Sequence, residues 1–322
     1  MKNSGKIILF LVIAVFIVAI YVSNQNEDID TKNESKKPTV SLSTFALYDI
    51  AKNISADTID LIMILPLGVD AHSFEPTPKL MTKIMQSNLV VYSGAGLEPW
   101  TESFDFKSKT IDMSKSVKLI EVTNKDEHHD HGHHDHDHHN HHHHHESAQD
   151  PHYWLDIQNM ISATKLMSDE FIKISPANEK LYRENSKKYI AKLESIDAKY
   201  KNALSNCKKD TIVVNHNAFS YLSNNYGFEV ESLSGLSPDA QPSAKNMVKL
   251  IQHVKEHDIK TVFFESFVSD KAMKSIANEA KVDVDVLQPL GNITHDEAQK
   301  NLSYEDIMLI NLEKISKALV CE

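Results

Sequence analysis

Three histidines carry the chemistry that this sequence can be asked about. His72 lies in Gly68-Val69-Asp70-Ala71-His72-Ser73-Phe74-Glu75-Pro76, His152 in Asp150-Pro151-His152-Tyr153-Trp154-Leu155-Asp156, and His216 in Asn215-His216-Asn217-Ala218-Phe219. Neutral imidazole is the commonest metal ligand. Three imidazoles with one open position make a zinc site that either holds the ion or activates water on it. None of the three has a short metal-binding spacing such as His-x-x-x-His, and singly each reads as a structural or surface histidine. Only the fold can bring them together.

A second group of imidazoles is impossible to overlook. His128, His129, His131, His133, His134, His136, His138, His139, His141, His142, His143, His144 and His145 form a tract with Asp130, Asp135 and Asp137 between them, just ahead of His152. The tract has no apolar residue and cannot build a core, so a disordered loop over 127–147 is expected. Many neutral imidazoles on a flexible chain chelate zinc, nickel or copper weakly in many equivalent ways. An expression tag would sit at a terminus and lack the aspartates.

The elements that must position the three histidines follow from hydropathy. Short β-rich segments at 39–43, 59–65, 89–92 and 110–113 alternate with helical ones at 45–54 and 78–86, and a stripe at 157–174 reads as a further helix stopping before Pro176. From 178 to 204 no glycine or proline intervenes. Tyr182, Tyr189, Leu193, Ile196, Tyr200 and Leu204 fall on one face there, predicting a single helix of about 40 Å that can bridge two lobes. The alternation then resumes, with strands at 211–215, 228–233, 261–265 and 282–287 and helices at 218–225, 244–257, 271–280 and 304–319. Such βα units imply an α/β fold of two lobes with parallel sheets covered on both faces. The expected organisation is an anchor and tether at 1–37, a first lobe at 38–175, a linking helix at 176–206 and a second lobe at 207–322. In sheets of this kind ligands sit at the carboxyl ends of strands. His72 and His216 follow predicted strands, and with His152 they place two ligands on the first lobe and one on the second, as an interlobe cleft requires.

The net charge of −11 and the lack of a basic stripe disfavour nucleic-acid binding. A lysine-bearing start followed by an apolar run at 7–22 is the pattern of an export signal. No small-x-small cleavage site follows, so an uncleaved N-terminal helix in the membrane is the expectation. No cysteine follows the run either, which excludes a lipid-modified one, and 24–37 reads as a solvated tether. The two cysteines, Cys207 and Cys321, could pair in an exported protein and pin the last helix.

Taken together, the segments 68–78, 92–100 (Tyr-Ser-Gly-Ala-Gly-Leu-Glu-Pro-Trp), 150–156, 216–229 and 237–246, with Phe263-Phe264-Glu265, resemble the zinc/manganese-binding solute-binding proteins of bacterial ABC importers. The resemblance is collinear over 38–319. It implies two βα lobes joined by one long helix, with the metal in the interlobe cleft and a His-rich loop ahead of the second ligand in the zinc-uptake branch. Position by position, His72, His152 and His216 match the three histidine ligands. A third imidazole suits zinc, whereas manganese prefers more oxygen. The family's acidic fourth ligand falls in a Leu-Asp-Pro-Leu-like run, which here reads Leu287-Gln288-Pro289-Leu290. Gln288 offers only a neutral amide oxygen, so a nearby carboxylate, Asp70, Glu98 or Glu265, is expected to balance the ion, and His295 is a further candidate.

The function implied is extracytoplasmic capture of Zn2+ by a monomer that delivers it to a membrane permease driven by a cytoplasmic ATPase. The alternatives are a manganese-binding protein of the same family and a zinc hydrolase. Against the latter, no general base stands at a fixed spacing and no Ser/His/Asp ordering or phosphate loop is present.

Overall fold

The computed structural model describes residues 37–121, 149–236, 244–266 and 271–322. The apolar run at 7–22, all but the last residue of the tether, the histidine tract and 237–243 lie outside the described residues. Among those described, no helix is long and apolar enough to cross a membrane.

Pro38–Glu322 forms one compact unit with two four-stranded sheets. In the first, β1 (Thr39–Leu42), β2 (Asp60–Met63), β3 (Leu89–Tyr92) and β4 (Lys109–Asp112) are ordered β2-β1-β3-β4. In the second, β5 (Thr211–His216), β6 (Glu229–Ser234), β7 (Thr261–Phe264) and β8 (Asp283–Val286) repeat that order as β6-β5-β7-β8. Every pairing is parallel. The expected pair of α/β lobes is therefore present. Central strands of such sheets are covered on both faces and so read as continuous apolar runs. Val40, Leu42 and Leu89 to Val91 are fully buried, and every residue of β5 is buried.

The first lobe is covered by α1 (Phe45–Ser55), α2 (Pro78–Met85) and α3 (Ile157–Ile174). Asp156 starts α3 by accepting the backbone N–H groups of Gln158 and Asn159, two of the four donors a helix start leaves unpaired. The long helix α4 (Glu179–Ala203) is about 37 Å long at 1.5 Å per residue. Its apolar stripe touches both halves through tyrosine hydroxyls. Tyr182 bonds Thr58, and Tyr189 donates to buried Asp49 on α1, whose carboxyl burial pushes up. Further along, Tyr200 donates to the Met308 carbonyl.

The second lobe carries α5 (Ser220–Tyr226), α6 (Ala244–Glu256), α7 (Lys271–Ala280), α8 (His295–Gln299) and α9 (Tyr304–Ala318). Helix α8 was not expected, since five residues are too short for a periodicity to register. Its signal is the capping box between Thr294 and Glu297. Cys207 and Cys321 are disulfide-bonded, fastening the end of the chain beside the exit of α4.

A seam of hydrogen bonds runs from the 289–293 loop to the first lobe. Gly291 O accepts from Phe45 N at 2.9 Å and Ile293 O from Gly68 N at 2.9 Å. Asn292 Nδ2 donates to the Pro66 and Val69 carbonyls at 2.6 and 2.8 Å. Trp154 Nε1 donates to Pro289 O at 2.7 Å. These five hydrogen bonds tie the 289–293 loop to the first lobe.

Candidate metal centre

The fold converges His72, His152 and His216 at the carboxyl ends of the two sheets. His72 comes from the loop after β2, His152 from the approach to α3, and His216 is the last residue of β5, one position earlier than the loop in which the sequence suggested it. In a sheet ordered 2-1-3-4 the chain departs in opposite directions from the first and third strands, which opens a crevice at their carboxyl ends. His216 ends β5 and Glu265 directly follows β7, the two strands flanking that point in the second lobe.

The distances are those of a chelating set. Nε2 of His152 lies 3.3 Å from Nε2 of His72 and 3.4 Å from Nε2 of His216. Zinc–nitrogen bonds of 2.0–2.1 Å in a tetrahedron put two nitrogens about 3.3–3.4 Å apart. Among the described residues these three histidines are the one group of three or more His, Cys, Asp or Glu side chains able to hold a metal ion.

Each imidazole is aimed by a carboxylate or its loop. His152 Nδ1 lies 2.8 Å from Asp150 Oδ1, which also accepts the His152 backbone N–H at 2.9 Å. With Nδ1–H donating to Asp150, the Nε2 lone pair faces the cleft. His216 Nδ1 touches Glu265 Oε1, and the Glu265 oxygens find no hydrogen-bond geometry elsewhere among the described residues. Asp70 Oδ1 accepts the backbone N–H of His72 at 2.8 Å. Asp70-Ala71-His72 and Asp150-Pro151-His152 thus share one device, an aspartate that closes a turn on the histidine two residues on. Asp150 was missed in the sequence, although the repeated Asp-x-His spacing was its signal.

Two buried carboxylates, Asp150 and Glu265, each 1 % exposed, stand beside the imidazoles. As carboxylates beside the three nitrogens they could offset the charge of a divalent ion held there. Two other candidates lie elsewhere. Glu98 accepts hydrogen bonds from Ser43 Oγ, Ser93 N and Gly94 N, anchoring the loop after β3, and its carboxyl is raised by burial. His295 is exposed at the start of α8. Gln288 is not brought to the cleft lining either. Its Nε2 donates to both Glu297 oxygens and its Oε1 accepts from Leu290 N, so the amide is spent on the loop that carries Asn292.

Burial and the two neighbouring imidazoles push the His72 pKa down from 6.5 to about 3. His72 is therefore neutral and ready to bind at any pH near 7. The unfolded chain takes up this proton near pH 6.5 and the folded chain only near 3, so the metal-free fold loses stability as pH falls through that window. We expect His72→Gln to remove this part of the acid sensitivity. Thermal melts of the metal-free proteins should show the wild type losing ground to the variant between pH 6.5 and 4, and parallel profiles would contradict it.

The cleft at the focus of the three nitrogens is about 20 Å3, lined by His72, His152, His216, Glu265, Trp154 and Asn292 among others. That is room for one water-sized body.

Residues 40–318 match the family described as zinc-uptake complex component A, periplasmic. The chain belongs to the ZnuA family. This is the family its motifs resemble, and the match spans both sheets. The chain is 32 % identical over 317 residues to the high-affinity zinc uptake system protein ZnuA of Bacillus subtilis, covering 97 % of each chain. It is 30 % identical over 310 residues to the zinc-binding lipoprotein AdcA of Streptococcus pneumoniae, covering 94 % of this chain but 58 % of AdcA. The crystal structure of the Zn(II)-bound ZnuA-like domain of that AdcA superposes with a TM-score of 0.71 at 27 % identity, over 88 % of this chain and 99 % of the domain.

Proposed function

We propose that this member of the ZnuA family is the extracytoplasmic zinc-capturing component of an ABC importer, with His72, His152 and His216 holding the transported ion. The observation that carries the reading is the pair of Nε2 separations, 3.3 and 3.4 Å, which equal the edge of a zinc–nitrogen tetrahedron. Three nitrogens select zinc over manganese, which favours oxygen donors. Asp150 and Glu265 supply the compensating charge from behind two of the imidazoles, so a neutral or water fourth ligand suffices. The match over residues 40–318 is to a zinc-uptake component, which favours capture of the ion over turnover by a zinc hydrolase.

In this reading the ion is captured by small rearrangements around a fixed seam, and the loaded monomer docks on a membrane permease driven by a cytoplasmic ATPase. The N-terminal apolar run holds the chain at the membrane, and the histidine tract is an accessory collector that raises the local zinc concentration. The test is zinc titration of the full chain and of a variant lacking 127–146. One tight ion per chain should remain in both, while the variant loses the weakly bound ions. Loss of the tight ion with the tract would overturn the assignment. An anomalous map of zinc-loaded crystals identifies the ligands directly.

A further inference from the structure

Helix α6 finishes on a second arrangement of imidazoles, His253-Val254-Lys255-Glu256-His257. Residues four apart on a helix stand one turn apart on one face. The His257 N–H donates to the His253 carbonyl at 3.0 Å, so the helical turn continues through the pair and fixes its spacing. The rings stack with centroids 4.2 Å apart and 19° between their planes. His253 Nε2 is buried and has no hydrogen-bond partner among the described residues, whereas His257 is exposed. A buried nitrogen left without a partner in a native structure calls for an explanation. Neither ring lines the three-histidine cleft.

We propose that His253 and His257 form a second, low-affinity site for a borderline divalent cation such as zinc, nickel or copper on the outer face of the second lobe. Two histidines at i and i+4 on one helix face are the pair by which helical zinc sites grip their ion. Binding requires the exposed His257 ring to leave the stack so that one of its nitrogens meets the ion beside His253 Nε2, and imidazole donors select these metals over magnesium or calcium. The ion would sit at the carboxyl end of α6, where the helix dipole favours positive charge. Lys209 Nζ donates to the His257 carbonyl at 3.1 Å, and its charge is met there by Asp258. Asp258 pairs with Lys209 and Lys260, Glu279 pairs with Lys255, and Glu256 adjoins His257 in sequence, so three lysines meet three carboxylates. With two of the four ligands of a structural zinc site, the dissociation constant falls in the range of roughly 1–200 µM. The site does not depend on the three-histidine assignment.

The experiment is carbethoxylation of histidines in the full chain by diethyl pyrocarbonate, mapped by peptide mass spectrometry at buffered free zinc. Because each histidine is read separately, ions on the tract do not obscure the result. Modification of His257 should fall with a midpoint within that range. In His253→Gln the midpoint should move at least about tenfold higher, while protection of His72 by zinc is unchanged and reports an intact fold. His257→Gln, at an exposed position, should in turn abolish zinc protection of His253. Modification of His257 that is insensitive to zinc up to about 1 mM, or protected equally in His253→Gln, would overturn the proposal and leave the pair a helix-terminal stack.

Discussion

Replacing His152 by alanine is expected to weaken zinc binding by about 100-fold or more, the largest loss from any single substitution in the cleft. His152 takes part in both of the short nitrogen separations, so its removal leaves His72 and His216 without their common neighbour. A four-ligand structural zinc site is worth about 10–16 kcal/mol, or about 3 kcal/mol per ligand, and each 1.4 kcal/mol is a factor of ten. Asp150→Asn and Glu265→Gln should cost less, about 10–100-fold, because those carboxylates act through the imidazoles they touch. Competition against a chelator of known affinity orders the three variants. Equal losses, or a His152→Ala protein that binds like the wild type, would remove the histidines from their assigned role.

The second large effect is on stability. The disulfide between Cys207 and Cys321 closes a loop of 114 residues. On the chain-entropy account a loop of this size stabilises the fold by about 4–5 kcal/mol. Replacing both cysteines by serine should therefore lower the melting temperature by on the order of 10 °C. Zinc affinity should be unaffected, because neither cysteine lines the cleft. Calorimetry of oxidised, reduced and doubly substituted protein checks the size of the shift. A drop of a degree or less would mean that the end of the chain is held by the packing of α9 alone.

Much of this fold was legible because its signals are periodic. The stripe on α4, the apolar runs of β3 and β5, and the alternation of strand and helix are one-dimensional patterns that burial enforces directly. The three histidines were legible for a different reason, since they stand in motif-bearing loops around strand ends. Glu265 was readable only as one of several acids. Its contact with His216 depends on β5 and β7 being neighbours, which no local pattern encodes. Gln288 illustrates the opposite failure. Its place in the run suggested a ligand, yet Glu297, nine residues on, takes its amide instead. Asp150 was legible only through the Asp-x-His spacing it shares with Asp70, since an aspartate in a turn has the same local pattern whether or not it holds an imidazole.

The seam between the 289–293 loop and the first lobe has a kinetic consequence. Gly291, Asn292 and Ile293 are each bonded across it, and Gly291 and Asn292 also line the cleft. A hinge that swung wide would have to break all of these bonds at once, so thermal motion alone seldom exposes the ion's back side. For an ion held as proposed, the expected consequence is a long dwell time, set by rare fracture of the seam as well as by the strength of the three nitrogen bonds. A docking partner that separates Asn292 from Pro66 and Val69 is then expected to speed unloading, and release measured with and without the permease checks it.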